Sequence, residues 1–311
     1  MFSIGFTEKT MRSTTSEIIK RACQTKTVVP GFNIPYLPMM EPVVRALRDT
    51  NSFGLIMVAR LEWVKFESGS LKSIRDEYLK CEDENHTRLH LDHVPVIDED
   101  DLIVDYESVI KEAIELEYES VMVDGSRLDL DENIEATRKI VEIAHTAGIP
   151  VEAELGAVMG HEAGPLPPYE ELFASGKGFT SPTDAKKFMD ESGADWLSIA
   201  IGNIHGAISA AKKDLKKLEA RLNIERLKEI KEITASPLVL HGGTGIKKQY
   251  IMESFQNGIA KINVATAIRQ PYEQNAGVSL KAGQDAVYET MLRIINEDLE
   301  IANSAKKLLP Q

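Results

Sequence analysis

Eight short apolar runs recur along this chain, and amphipathic stretches lie between most of them. The runs cover 28–34, 54–59, 89–93, 121–124, 151–154, 197–201, 238–240 and 260–264. Each is too short to be a buried helix, so each reads as a strand. Helix signals separate them. Ser13, Thr14, Thr15 and Ser16 offer caps to a stripe of Ile18, Ile19 and Ala22 over 13–26. Val43, Val44, Ala46 and Leu47 mark a second helix, and 133–147 and 223–234 carry two more. Strands that alternate with helices pair in parallel through strand–helix–strand units, and about eight such units close a barrel. The fold class is therefore α/β, a (β/α)8 TIM barrel. An open doubly wound sheet ranks second, because no Gly-x-Gly-x-x-Gly opens a first helix. The 311 residues suit one barrel domain over 1–311. Its C-terminal helices, about 271–311, carry Met291, Ile294, Ile295, Leu299 and Ile301 at helical spacing, and these imply packing or subunit contact.

Charge narrows the partners. Lys and Arg number 36 against 49 Asp and Glu, a net of −13, which excludes the basic footprint that nucleic acid requires. A small phosphorylated ligand stays compatible, since a pocket can be locally positive on an acidic protein. Cys23 and Cys81 are far apart and form no metal-binding spacing, so free thiols and a cytoplasmic protein are expected. No run approaches the roughly 18 apolar residues of a membrane span, and the N-terminus lacks a basic segment followed by an apolar one, so neither anchor nor signal peptide is expected.

Chemistry in a parallel barrel gathers at the carboxyl ends of the strands. Leu89-His90-Leu91 ends in Asp92-His93, a carboxylate beside an imidazole. Ile204-His205-Gly206 and Leu240-His241-Gly242 repeat the strand-end histidine. A catalytic zinc takes three protein ligands and keeps a position open, and His93, His205 and His241 could supply them from three strands. A lone histidine is more often packed than ligating. His90 reads as packed along its strand, His86 and His145 as surface residues, and His161 as part of a loop. The run His241-Gly242-Gly243-Thr244-Gly245 brings backbone amides close to an anion, with Thr244 and Thr266 as hydroxyl donors; the bland alternative is a flexible turn. Asp98-Glu99-Asp100-Asp101 reads as a solvated loop or helix start ahead of a cation site. The stretch 159–182, rich in Gly and Pro, reads as a long mobile loop that serves as a lid or a connection.

Six motifs then fall in register with one family. Leu89-His90-Leu91-Asp92-His93, Val121-Met122-Val123-Asp124-Gly125-Ser126 and Glu152-Ala153-Glu154-Leu155-Gly156 resemble the class II, zinc-dependent ketose-bisphosphate aldolases. So do Ala200-Ile201-Gly202-Asn203-Ile204-His205-Gly206, Leu240-His241-Gly242-Gly243-Thr244-Gly245 and Lys261-Ile262-Asn263-Val264-Ala265-Thr266, and the likeness runs from about Gly31 to Arg269. The resemblance implies a catalytic zinc on His93, His205 and His241, with Glu154 as the acidic residue near it and a second divalent or monovalent cation left open. It implies that Asp92 exchanges a proton with the oxygen at the bond broken or made, and that Glu162 on the loop serves the ketone-derived carbon. Gly206, Gly242, Gly243, Thr244 and Thr266 would hold a phosphate, Asn263 the enediolate, and Asn33 the substrate. The expected activity is reversible cleavage of a ketose phosphate to dihydroxyacetone phosphate and an aldehyde, by a homo-oligomer (dimer or tetramer). A divalent cation would lower the charge that builds up on the enediolate oxygens. There are also departures. Ala59-Arg60 stands where the family commonly has a Ser near the substrate, Val94 follows His93 in place of Gly, and Ala265 replaces an Asp of the fructose-bisphosphate branch. The tail after Gln270 lacks the usual Asp-Pro-Arg, which leaves the second phosphate without a placed ligand. These departures keep open a paralogue that binds sugar phosphates with altered catalysis.

Overall fold

A computed structural model of the chain describes residues 12–156, 169–203, 220–243 and 245–309. Eight parallel strands close a barrel in sequence order: β1 (Val29–Asn33), β2 (Gly54–Ala59), β3 (Thr87–Pro95), β4 (Ser120–Asp124), β5 (Val151–Leu155), β6 (Trp196–Ile199), β7 (Leu238–Leu240) and β8 (Ile259–Val264). β8 returns to β1 in the register Gly31↔Asn263, which completes the ring. Around it run α1 (Thr15–Thr25), α2 (Met40–Asp49), α3 (Arg60–Lys65), α4 (Leu71–Cys81), α5 (Tyr106–Glu115) and α6 (Leu130–Thr146). They are followed by α7 (Tyr169–Ser175), α8 (Pro182–Ser192), α9 (Ile224–Thr234), α10 (Lys248–Gln256), α11 (Thr266–Ala276), α12 (Leu280–Arg293) and α13 (Ala305–Leu308).

Local chemistry explains the helix boundaries. Thr14 and Glu17 close a capping box on α1, and Asp129 and Glu132 do so on α6, each satisfying backbone N–H groups that a helix start leaves unpaired. Two elements depart from the sequence expectation. The β2–β3 connection contains two helices, the six-residue α3 and α4, which buries Leu71, Ile74 and Tyr78. The expected loop over 159–182 is helical from Tyr169 to Ser175; its earlier residues, 159–168, lie outside the described ones.

The barrel interior divides into two halves. At the amino-terminal end Val29, Leu55, Met57, Trp196, Val239 and Ala260 pack with Phe53 against Ile18, Ile19 and Ala22 of α1 and against Ala305 and Leu308 of α13. Each fully buried Ile or Leu there contributes about 1.5–3 kcal/mol. A Cβ on Gly31 would lie 2.2 Å from Met57 Sδ, so a larger residue there would displace the end of the Met57 side chain. Toward the carboxyl ends the interior turns polar, with His90, Asp92, Glu152, Glu154, Ser198, Lys261 and Asn263 all buried. Among the described residues, no helix is long and apolar enough to cross a membrane.

Candidate active site

A regular strand sends successive side chains to opposite faces, so Asp92 and His93 should not meet. A bulge brings them together. β3 and β4 pair at Leu91↔Val121 and next at Val94↔Val123, three steps on one strand against two on the other. The extra residue is accommodated by His93, whose φ is 31°, a rare backbone state for a residue with a side chain. As a result, ligand atoms of Asp92, His93 and His241 lie within 4.8 Å of one another.

Both imidazoles are oriented by carboxylates. His93 Nδ1 is 3.0 Å from Asp124 Oδ2, which leaves Nε2 as the ring's other ligand atom. His241 Nε2 is 2.8 Å from Glu152 Oε1, and its Nδ1 is 3.1 Å from Glu154 Oε2. The two rings meet edge to face, with centroids 4.5 Å apart. Glu152 in turn accepts from Trp196 Nε1 at 2.7 Å, and it pairs with Lys261 Nζ at 2.9 Å. Ser198 Oγ donates to Glu154 Oε2 at 3.3 Å.

Asp92 sits at the centre of a second set of contacts. Asn33 Nδ2 donates to Oδ2 at 2.9 Å and Asn263 Nδ2 to Oδ1 at 3.0 Å. Lys261 fixes which way the Asn263 amide faces. Its ammonium can only donate, and it does so to Asn263 Oδ1 at 2.7 Å, so the amide NH2 must turn to Asp92. His90, expected as a packed residue, is fully buried on this interior face, with Nδ1 2.8 Å from Ser120 Oγ and Nε2 3.7 Å from Glu152.

The electrostatics follow from these neighbours. Burial opposes a charged Asp92, but His93, Lys261 and His241 outweigh it and hold its carboxyl below the usual range. Burial likewise opposes a charged His93, yet Asp92, Asp124 and Glu154 push its imidazole up to about 10. Burial and the nearby His93 disfavour a charged His241, but its hydrogen bonds to Glu152 and Glu154 raise its pKa overall. Burial pushes the Glu62 carboxyl up to about 8. Asp92, Asp124, Glu152 and Glu154 thus crowd around Lys261 and two imidazoles, with the Glu62 carboxyl beside Asp92. Imidazole and carboxylate donors held by outer carboxylates, with negative charge in excess, are the surroundings that a divalent cation of the zinc type requires. His93–Asp124–Glu154 and His90–Asp92–Glu152 form two further groups of ligand atoms at the same spacing.

The structure therefore brings Asn33, Asp92, His93, Glu154, His241 and Asn263 to one end of the barrel. Gly242 follows with φ 63°, and Gly243 lies so close to β8 that a Cβ would meet Ile262 Cδ1 at 2.8 Å and the Asn263 carbonyl at 3.2 Å. Thr266 is the first residue of α11, two positions after β8. Glu162, His205, Gly206 and Thr244 lie outside the described residues. Asp100 and Asp101 are exposed as expected, but Asp98 is buried and braces its loop, accepting from the amides of Asp100 and Leu102 and from Arg60. His145 is exposed beside Asp195, whereas His86 is half-buried between Asp83 and Asn51. Glu152, Lys261, Asp124 and Glu62 are additions to the expected set. The first two share strand parity with Glu154 and Asn263, a signal present in the sequence.

A closed barrel with a histidine–carboxylate cluster at the carboxyl ends of its strands has the arrangement of a barrel enzyme whose side chains could hold a metal ion, and comparison with known proteins narrows it. The family model described as fructose-bisphosphate aldolase class-II matches residues 13–307. Fructose-bisphosphate aldolases of Staphylococcus aureus (strain Mu50) and Staphylococcus epidermidis (strain RP62A) are each 30% identical over 297 residues, 94% of this chain and 90% of theirs. The crystal structure of the YdjI aldolase from Escherichia coli K12 superposes with a TM-score of 0.73 at 25% identity, over 95% of this chain and 100% of that one. A putative fructose-1,6-biphosphate aldolase from Coccidioides immitis shares the fold, with a TM-score of 0.73 at 23% identity over 93% and 96%. The chain belongs to the class-II fructose-bisphosphate aldolase family, a family of carbon–carbon lyases that act on phosphorylated sugars and are generally zinc-dependent.

Proposed function

We propose that this chain is a zinc-dependent aldolase that reversibly cleaves a ketose phosphate to dihydroxyacetone phosphate and an aldehyde. The observation that carries the proposal is the β3 bulge, which turns a proton-accepting carboxylate and an imidazole ligand toward the same point, next to His241. His93, His241 and His205 would hold the zinc with Glu154 at its side, and the ion would supply Lewis-acid relief of the negative charge that grows on the ketone oxygen.

The chain's own residues do the rest. Asp92, a carboxylate clamped by two asparagine amides, takes the proton from the hydroxyl on the carbon that becomes the aldehyde. The electron pair left on that oxygen forms the new carbonyl as the carbon–carbon bond breaks, and the bond's own pair passes to the triose half. A proton from Glu162 completes dihydroxyacetone phosphate. Asn263 and Asn33 orient the reacting oxygens, and Gly206, Gly242, Gly243, Thr244 and Thr266 receive the phosphate.

A panel of ketose mono- and bisphosphates tests this by triose-phosphate release. Chelated protein should be inactive and zinc should restore turnover, while His93→Ala and His241→Ala should bind less zinc and stay inactive. Zinc-loaded protein that releases triose phosphate from no member of the panel would overturn the proposal.

A further inference from the structure

Glu62 stands outside every role assigned so far, although its carboxylate faces the site. It lies in the first turn of α3, just past the end of β2, and is only 7% exposed. Its Oε2 accepts from the Ala59 amide at 2.7 Å and from Asn33 Nδ2 at 3.4 Å. That same Asn33 Nδ2 donates to Asp92 at 2.9 Å, so one amide is shared between the two carboxylates. Oε1 takes no hydrogen bond from any described residue. A glutamate at this helix position often caps the backbone, but capping uses one oxygen and is compatible with solvent. Here the carboxyl group is largely buried and shares the Asn33 amide with Asp92. Ala59 brings no hydroxyl to the end of β2, and its amide is held by Glu62.

We infer that Glu62 selects the aldehyde half of the substrate, with its Oε1 hydrogen-bonding a hydroxyl on the carbon next to the aldehyde carbonyl. This rests on the aldolase proposal, in which Asp92 serves the carbonyl oxygen itself. Glu62 lies one amide beyond Asp92, which matches the neighbouring carbon. A hydroxyl both donates and accepts, so it satisfies Oε1 whether or not the carboxyl carries its proton. A carboxylate on that carbon only accepts, and it would face Asp92 and Glu62 together.

The test is aldol addition of dihydroxyacetone phosphate to glycolaldehyde, acetaldehyde and glyoxylate by zinc-loaded protein. Glycolaldehyde has the hydroxyl, acetaldehyde lacks it, and glyoxylate replaces it with a carboxylate. In Glu62→Met the ratio of kcat/KM for glycolaldehyde over acetaldehyde should fall by at least about tenfold, since a site that hydrogen-bonds a hydroxyl discriminates strongly against its absence. Glu62→Gln keeps an acceptor for Ala59 and a donor for the hydroxyl, so it should retain most of that ratio while gaining on glyoxylate relative to glycolaldehyde. If Glu62→Met slows glycolaldehyde and acetaldehyde by one common factor, Glu62 is a helix cap only and the inference fails. Should Glu62→Met not fold, the Glu62→Gln comparison decides, and an unchanged glyoxylate ratio overturns it. A parent protein that adds to none of the three removes the aldolase proposal and this inference with it.

Discussion

At the scale of single residues, the polar half of the barrel depends on charges that cannot be removed one at a time. Lys261 has no exposed surface and holds both Glu152 and the Asn263 amide. Lys261→Met would leave Glu152 buried without its ammonium and free the Asn263 amide to turn, so a loss of about 3–5 kcal/mol is expected in a denaturant titration. Glu62 gives a prediction in pH. Its folded carboxyl is raised to about 8 by burial, next to Asp92, while in the unfolded chain it ionises in the ordinary carboxylate range. A raised folded value means that the group's stabilisation is full at low pH and is lost as pH climbs toward the folded value. Glu62→Gln cannot ionise, so its stability relative to the parent should rise between about pH 5 and about pH 8. An unchanged difference in denaturation midpoint across that range would show that Glu62 is not held neutral.

At the scale of elements, the C-terminal segment closes the apolar end of the barrel by specific bonds. Ser304 Oγ accepts from the Phe53 amide at 3.0 Å, Ser52 Oγ donates to the Ile301 carbonyl at 3.1 Å, and Arg21 donates to the Leu308 carbonyl. Ser304→Ala leaves the fully buried amide of Phe53 without its acceptor, and a loss of about 1–3 kcal/mol in unfolding free energy should follow. A cost below about 0.5 kcal/mol would mean that another acceptor replaces it. The strands were legible because the short apolar runs alternate with amphipathic helical stretches along the chain. The β3 bulge was not, because strict alternation places His93 opposite Asp92, and only the register with β4 shows otherwise. Glu152 and Lys261 could have been found by parity, since Glu152 alternates with Glu154 and Lys261 with Asn263. Glu62 could not, because nothing in 60–65 alone shows that a six-residue helix brings its carboxyl group to the Asn33 amide beside Asp92.

At the scale of the whole molecule, one closed sheet carries two opposed demands. Its amino-terminal half is sealed by α1 and α13 around Trp196, Phe53 and Met57, and its carboxyl half concentrates buried ions. Removing residues 302–311 should expose the apolar end, lower the thermal midpoint and promote aggregation, as read by light scattering during heating. A truncated chain that melts like the parent would show that α1 alone suffices as the seal. The bulge in β3 has a consequence for how this chain can change over time. Three residues of β3 span two of β4 only because His93 adopts φ 31°, so the number of residues between Leu91 and Val94 is itself fixed. Losing one residue there would leave a better regular strand and return the pairing to even step. It would also separate the carboxylate from the imidazole, whichever amino acids remained. Substitutions can explore the chemistry at these positions, but an insertion or deletion cannot, and length variation among functional descendants should stop at Leu91 and resume only after Val94.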